Sequence, residues 1–238
     1  MKALVLIIVC IVATAVGIGA VYYKPPATTD VIVLSDVTDS LIAKPDGVEL
    51  ISFLNTSNKW DGISFTLSSI SDVSIGKTDK VFIKAESRWL GNEIKRTRDL
   101  KAFYNSVEEL LARSSSNAIG RKQTSVYLPL ATSLTFLAES SSNKKVLIVY
   151  SDLMENTNEF SFYDPQTLSE LKTKPEVALG KLDSLLHLPS LRGVDVVFVY
   201  QPHTTTEDSA YRIVSWFYKS MLEKAGAHVV ITSNLSAL

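Results

Sequence analysis

Beyond residue 30 the chain alternates between short apolar runs and longer stretches with helical spacing. Val31-Ile32-Val33-Leu34, Val146 to Tyr150 and Val194 to Tyr200 are largely apolar at consecutive positions, the pattern of strands buried on both faces. His228 to Ile231 is a last short strand of the same kind. Ile63 to Leu67 and Lys80 to Lys84 read as two more strands. The turn-forming residues of Ser68 to Asp79 between them predict an antiparallel hairpin with a long tip. Helical spacing predicts a helix over Pro45 to Leu54, with Val48, Ile51 and Leu54 on one face. It predicts another over Arg98 to Arg113, with Leu100, Phe103, Tyr104, Val107, Leu110 and Leu111 inward, and a third over Tyr127 to Ser140. Pro175 to Leu186 and Thr206 to Ala225 complete the helices, with Gly226 as the stop signal after the last. Residues 153–174 are polar and without period, and are expected to be irregular.

The resulting order, β-α-β-β-α-α-β-α-β-α-β, predicts an α/β, Rossmann-like three-layer sandwich. Its central sheet is mostly parallel, with one antiparallel edge strand, and helices cover both faces. Residues 30–238 form this one domain, with 24–29 as a short proline-containing linker before it.

Residues 1–23 are of another kind. No charged residue occurs from Ala3 to Tyr23. Twenty-one residues at 1.5 Å per residue reach roughly 30 Å, the thickness of a bilayer core. The run reads as a retained transmembrane anchor. A cleaved signal peptide is the competing reading, but it would have a shorter apolar region and a small-x-small cleavage site, where this chain has Ile18-Gly19-Ala20. Lys2 and the α-amine precede the run, and Lys24, then Asp30, Asp36 and Asp39, follow it. The positive side is N-terminal, which orients the folded domain to the extracytoplasmic, periplasmic or extracellular, side.

Charge and cysteine content narrow the function classes. With 24 Lys and Arg against 25 Asp and Glu, the chain has no broad positive field for non-specific nucleic-acid binding. Cys10, inside the apolar run, is the only cysteine, so the domain has neither a disulfide framework nor a thiolate metal site.

In a sheet of this topology ligands bind beyond the carboxyl ends of the strands, where the strand order reverses. Ser35-Asp36-Val37-Thr38-Asp39-Ser40 follows the first buried strand, Ser151-Asp152 follows Val146 to Tyr150, and Gln123-Thr124-Ser125 precedes the Tyr127 helix. These loops bring carboxylates and hydroxyls to one end of the sheet. An all-oxygen set suits a hard cation such as Mg2+. With neutral hydroxyls as the main ligands, the ion stays electrophilic and would bind an incoming carboxylate.

Asp36-x-Thr38-x-Ser40, Thr124 and Asp152, each at the end of the right element, resemble the metal-ion-dependent adhesion site of von Willebrand factor A domains. The similarity runs over roughly residues 30–232 in element order. It implies that Thr38 and Ser40 bind Mg2+ (or Mn2+) directly and that Thr124 binds directly or through water. It implies that Asp36 and Asp152 act mostly through water, and that a protein partner supplies a last Glu or Asp carboxylate. The chain departs from the family pattern in Thr38, where serine is commoner, in Leu153, where glycine is frequent, and in lacking a glycine before Thr124. The resemblance thus implies a membrane-anchored, non-enzymatic domain for cation-dependent protein–protein binding. A metal-independent scaffolding domain of an envelope complex is the alternative, and a Mg-dependent phosphohydrolase a more distant one. The same residues would serve the bland purpose of capping, Asp36 and Thr38 for the helix after them and Thr124 for the Tyr127 helix.

Other motifs carry less. Gly76-Lys77-Thr78 has Ser71 where a phosphate-binding loop needs glycine, and a strand follows where a helix should. His187, His203 and His228 are too scattered for a metal site and are expected at the surface. Ser-His-Asp catalysis has no G-x-S-x-G elbow to support it. A dehalogenase-like phosphatase needs an acid two residues after its nucleophile, where Asp36 is followed by Thr38. Trp60, Trp89 and Trp216 are expected to pack, although Ser87-Arg88-Trp89-Leu90-Gly91 reads as a partly exposed loop, and the basic run from Arg88 to Arg98 to form a solvated face.

Overall fold

The computed structural model describes residues 25–38, 42, 44–55, 58–70, 78–115, 123–157 and 160–237. The apolar run of residues 3–23, Ser40 and most of the hairpin tip with Gly76 and Lys77 lie outside the described residues. Among those described, no helix is long and apolar enough to cross a membrane.

Six strands form one sheet: β1 (Thr28–Asp36), β2 (Gly62–Ile70), β3 (Thr78–Ile83), β4 (Lys144–Tyr150), β5 (Val194–Val199) and β6 (His228–Thr232), in the order β3-β2-β1-β4-β5-β6. All neighbours are parallel except β2 and β3, whose antiparallel pairing makes β3 the edge. This is the expected Rossmann-like three-layer α/β fold. Strand order reverses at β1, which is flanked by β2 on one side and β4 on the other.

Alternate residues of each parallel strand feed opposite cores, because successive side chains point to opposite faces. Val31 and Val33 pack with α1 (Gly47–Leu54) and α2 (Glu93–Ser115). Ile32 and Leu34 pack toward α3 (Tyr127–Glu139), α4 (Pro165–Thr173), α5 (Pro175–Leu185) and α6 (Thr205–Lys224). Leu130, Leu134 and Leu137 put α3 against β1 and β4 with no exposure at all. Each contributes about 2 kcal/mol of burial, and truncating any one would leave a cavity as well. Gly226, at φ +103°, reverses the chain after α6, where a side chain would be strained and would crowd Arg192.

Several expectations need correction. The stretch 153–174 is not irregular throughout, because α4 occupies Pro165–Thr173. Asp164 caps it, accepting from the Gln166 N–H, and Pro165 opens it. α2 begins at Glu93, five residues before the expected Arg98, with the Asn92 side chain accepting from the Lys95 N–H. In α1 it is Leu50 and Leu54 that are buried, while Val48 faces solvent. Trp60 packs as expected, but Trp89 and Trp216 are exposed. Within the basic run Arg96 is fully buried, not solvated. The three histidines are exposed, as anticipated.

Candidate metal centre

Asp36 is the last residue of β1, and Ser151 follows the last residue of β4. The register that sets Ser35 beside Tyr150 therefore brings Asp36 level with Ser151. This is the switch point of the sheet, where two neighbouring strands send their chains in opposite directions.

Asp36 is 3% exposed and both its oxygens are engaged. Oδ1 accepts from the Thr38 N–H (2.9 Å) and the Thr38 hydroxyl (2.6 Å). Oδ2 accepts from the Ser151 hydroxyl (2.8 Å). The Thr124 hydroxyl donates to Thr38 Oγ1 (2.9 Å) across 86 residues of sequence. A relay of Thr124, Thr38 and Asp36, with Ser151 on the other carboxylate oxygen, thus joins three loops. The structure brings together three of the residues singled out from sequence. Ser40 lies outside the described residues.

Asp152 is placed next to this relay, through Ser151, and its carboxylate serves its own loop. Oδ1 accepts from the Met154 N–H (2.9 Å) and Oδ2 from the Tyr163 hydroxyl (3.0 Å). Directly after Asp152, Leu153 adopts φ +61°, the left-handed region that a bulky side chain avoids, and it is the only non-glycine among the described residues to do so. Its N–H donates to Ser151 Oγ (2.9 Å), and its side chain is wholly buried.

The segment after Asp152 fixes Thr124. Thr124 and Asn156 exchange two backbone hydrogen bonds, of 3.0 and 2.8 Å, and Asn156 in turn bridges to Ser161. Sequence reasoning missed the next element of this support. Glu155, 1% exposed, accepts from the backbone N–H groups of Val126 and Tyr127, both at 2.8 Å. It caps α3 from a distant loop, and Val126 at the N-cap has no side-chain cap of its own. Thr124 is therefore not the cap of α3, and Asp46, not Asp36 or Thr38, caps α1. Burial pushes the Glu155 carboxyl above its ordinary range, and the nearby Asp36 charge adds to this. The two backbone N–H groups and the Ser125 hydroxyl oppose it. Its second oxygen, Oε1, is buried without a hydrogen-bond partner. The only local signal for Glu155 was an absence: Val126 is a poor N-cap, so the helix needed a cap from elsewhere.

The set that the relay joins is oxygen throughout: the Asp36 carboxylate and the hydroxyls of Thr38, Thr124 and Ser151. It fits a hard cation and no soft one. Among the described residues no three His, Cys, Asp or Glu side chains converge, so a cation here relies on hydroxyls. Grooves of about 500 to 660 Å3 open along α5 and α6 and beside β3.

Fold and relay together define a Rossmann-like three-layer α/β domain with an oxygen-rich cluster at its switch point. No protein-family model matches the chain, and no curated protein matches it.

Proposed function

We propose that the chain is a membrane-anchored domain of the von Willebrand factor A type that binds a protein partner through a divalent cation, Mg2+ or Mn2+. The observation that carries this reading is the Thr124–Thr38–Asp36 relay, assembled from separate loops at the switch point. A hydroxyl that gives its hydrogen to a neighbouring oxygen still has lone-pair density to offer a cation. Thr38, Thr124, Asp36 and Asp152, with Ser40, are the residues that would hold the ion. When bound, the ion supplies a concentrated positive charge to which a partner's Glu or Asp carboxylate binds. Asp36 fixes the Thr38 hydroxyl, which in turn accepts from that of Thr124, and Ser151 fixes Asp36. The apolar run Ala3 to Tyr23 serves as a retained membrane span, with the domain on the extracytoplasmic side.

The test is thermal unfolding of the full chain in detergent micelles, with millimolar Mg2+ or Mn2+ and with chelator. The cation raises the melting temperature, by the equivalent of about 2.7 kcal/mol at a hundredfold excess over its dissociation constant. Asp36→Ala and Thr124→Val both abolish the rise. A wild-type chain that melts alike with and without either cation overturns the reading.

One observation favours a metal-independent scaffold instead. Both Asp36 oxygens accept hydrogen bonds from within the chain, so the cluster satisfies its own polar groups. On that reading Asp36→Asn lowers the melting temperature equally in cation and in chelator.

A further inference from the structure

The end of the sheet opposite the Asp36 relay carries a cluster of exposed apolar side chains. Trp89 is 81% exposed, Leu90 92% and Ile94 83%, in the turn before α2 and in its first helical turn. Exposed Arg88, Lys95 and Arg98 surround them. Between residues 84 and 101 there are six basic and three acidic residues. Lys95 pairs with Asp99 at 2.5 Å, and Arg96 is buried beneath.

The mount under this patch is rigid. The Arg96 guanidinium donates to three backbone carbonyls, of Lys59 (2.6 Å), Lys84 (2.7 Å) and Asp61 (2.5 Å), tying the turn to the loop before β2. Gly91 lies against the Trp60 ring so closely that an added Cβ would sit 2.2 Å from it. That same loop receives the start of the domain. The Ala27 carbonyl accepts from the Gly62 N–H, and the Ala27 N–H donates to Asp61 Oδ1, both at 2.8 Å. Ala85 lies against Gly62, so the turn begins about two strand spacings, roughly 10 Å, from the first residues of β1.

We propose that Trp89, Leu90 and Ile94 seat on the interface of the bilayer that the chain's own N-terminal segment spans. The proposal rests on reading Ala3 to Tyr23 as a retained span. The chain from Tyr23 to Thr28 covers at most roughly 17 Å, so the tether holds this end of the sheet at the membrane surface. Tryptophan with an apolar body and a polar N–H suits the headgroup level. Arg88 and Arg98 beside it can reach to lipid phosphates while their methylene stems lie on the apolar side. In water the same three side chains would be a standing liability.

The test uses the full chain in vesicles of phosphatidylcholine mixed with phosphatidylglycerol. Cys10→Ser removes the native thiol, and Leu90→Cys places an environment-sensitive fluorophore in the patch. Tyr163→Cys places it beside the Asp36 relay as the control. The label at 90 is expected to emit to the blue, to be quenched by nitroxide-bearing lipid and to be shielded from aqueous iodide. The label at 163 does the reverse. Adding Trp89→Ser and Ile94→Ser returns the label at 90 to water. Alkaline carbonate extraction separates the two claims. A chain that resists extraction while its label at 90 is quenched by iodide keeps the span and overturns the patch. A chain that is extracted although its label was shielded beforehand loses the span and upholds the patch.

Discussion

Leu153 offers the sharpest test of how the site is built, because two large effects oppose each other there. Its backbone sits at φ +61°, which costs an L-residue about 1–2 kcal/mol. Its side chain is wholly buried in the core under α3 to α6. Leu153→Ala empties that space and keeps the strain, for a loss of about 3–5 kcal/mol. Leu153→Gly empties the same space and removes one more methyl, worth about 0.8 kcal/mol. It also adds unfolded-chain entropy of about 0.5–1 kcal/mol. At an ordinary buried position glycine would therefore fall about 1.5 kcal/mol below alanine. Here relief of the left-handed strain returns about 1–2 kcal/mol. The two variants should come out equal, or glycine slightly ahead. The cavity is common to both, so its uncertain size drops out of the difference. Urea unfolding in detergent, followed by fluorescence of the buried Trp60, measures it from midpoints at a shared slope. Glycine lower than alanine by the ordinary 1.5 kcal/mol would refute the claim that the Ser151 and Asp152 turns hold strain at this position.

Further outcomes follow from the same geometry. Thr38→Val keeps the shape but removes the hydroxyl between Thr124 and Asp36, and should cost about 1–3 kcal/mol in chelator by urea unfolding, with a smaller loss for Thr124→Val, whose hydroxyl donates to Thr38 at 2.9 Å. Glu155 titrates above its ordinary 4.5 in the folded chain, so its contribution is fully present below that value and is lost as pH rises through the raised one. Glu155→Gln keeps an acceptor for the Val126 and Tyr127 N–H groups. Its melting temperature relative to wild type should therefore climb from pH 4 to pH 8 in chelator, and a flat difference would count against the buried charge. Arg96→Met leaves the carbonyls of Lys59, Asp61 and Lys84 without their donor and should destabilise by about 3 kcal/mol, whereas Arg98→Met, on the exposed face of the same helix, should change stability by less than about 0.5 kcal/mol in thermal unfolding.

What could be read from the sequence was what burial writes into it. The runs Val31 to Leu34, Val146 to Tyr150 and Val194 to Val199 had to be central strands, because only a strand covered on both faces keeps apolar residues at consecutive positions. The helices α2, α3 and α6 announced themselves by the stripes they bury. α4 did not, because Leu171 is its one fully buried residue, and the Asp164-Pro165 pair that starts it is a quieter signal. The early start of α2 was hidden for a related reason. Its first turn carries Ile94 outward, so the apolar stripe begins only later. Asp36 and Thr38 were legible by position, since strand ends at a switch point are a short list, and Thr124 by its place before the Tyr127 helix. Glu155 and Ser151 as supports were not, because their partners lie 28 and 115 residues away in the chain. Trp89 was misread as a packing residue because composition alone does not separate a core tryptophan from one kept at the surface.

The two ends of β1 divide the molecule's proposed work. Thr28, within the expected linker, begins the strand, and Asp36 ends it at the relay, eight residues or roughly 26 Å away. A single span with a short tether would let the domain swing about one point. On the proposal above, a second contact through Trp89, Leu90 and Ile94 would remove most of that freedom and set the sheet upright on the membrane. On that proposal the relay would face away from the lipid at a fixed height, and a partner in the same membrane would be met at one distance and one orientation. Fixing the geometry before binding removes rotational entropy that association would otherwise cost. It also raises the effective concentration of any partner whose carboxylate is held at the same height. A patch variant that leaves the relay intact should therefore weaken capture of a membrane-embedded partner while leaving the cation-dependent rise in melting temperature unchanged.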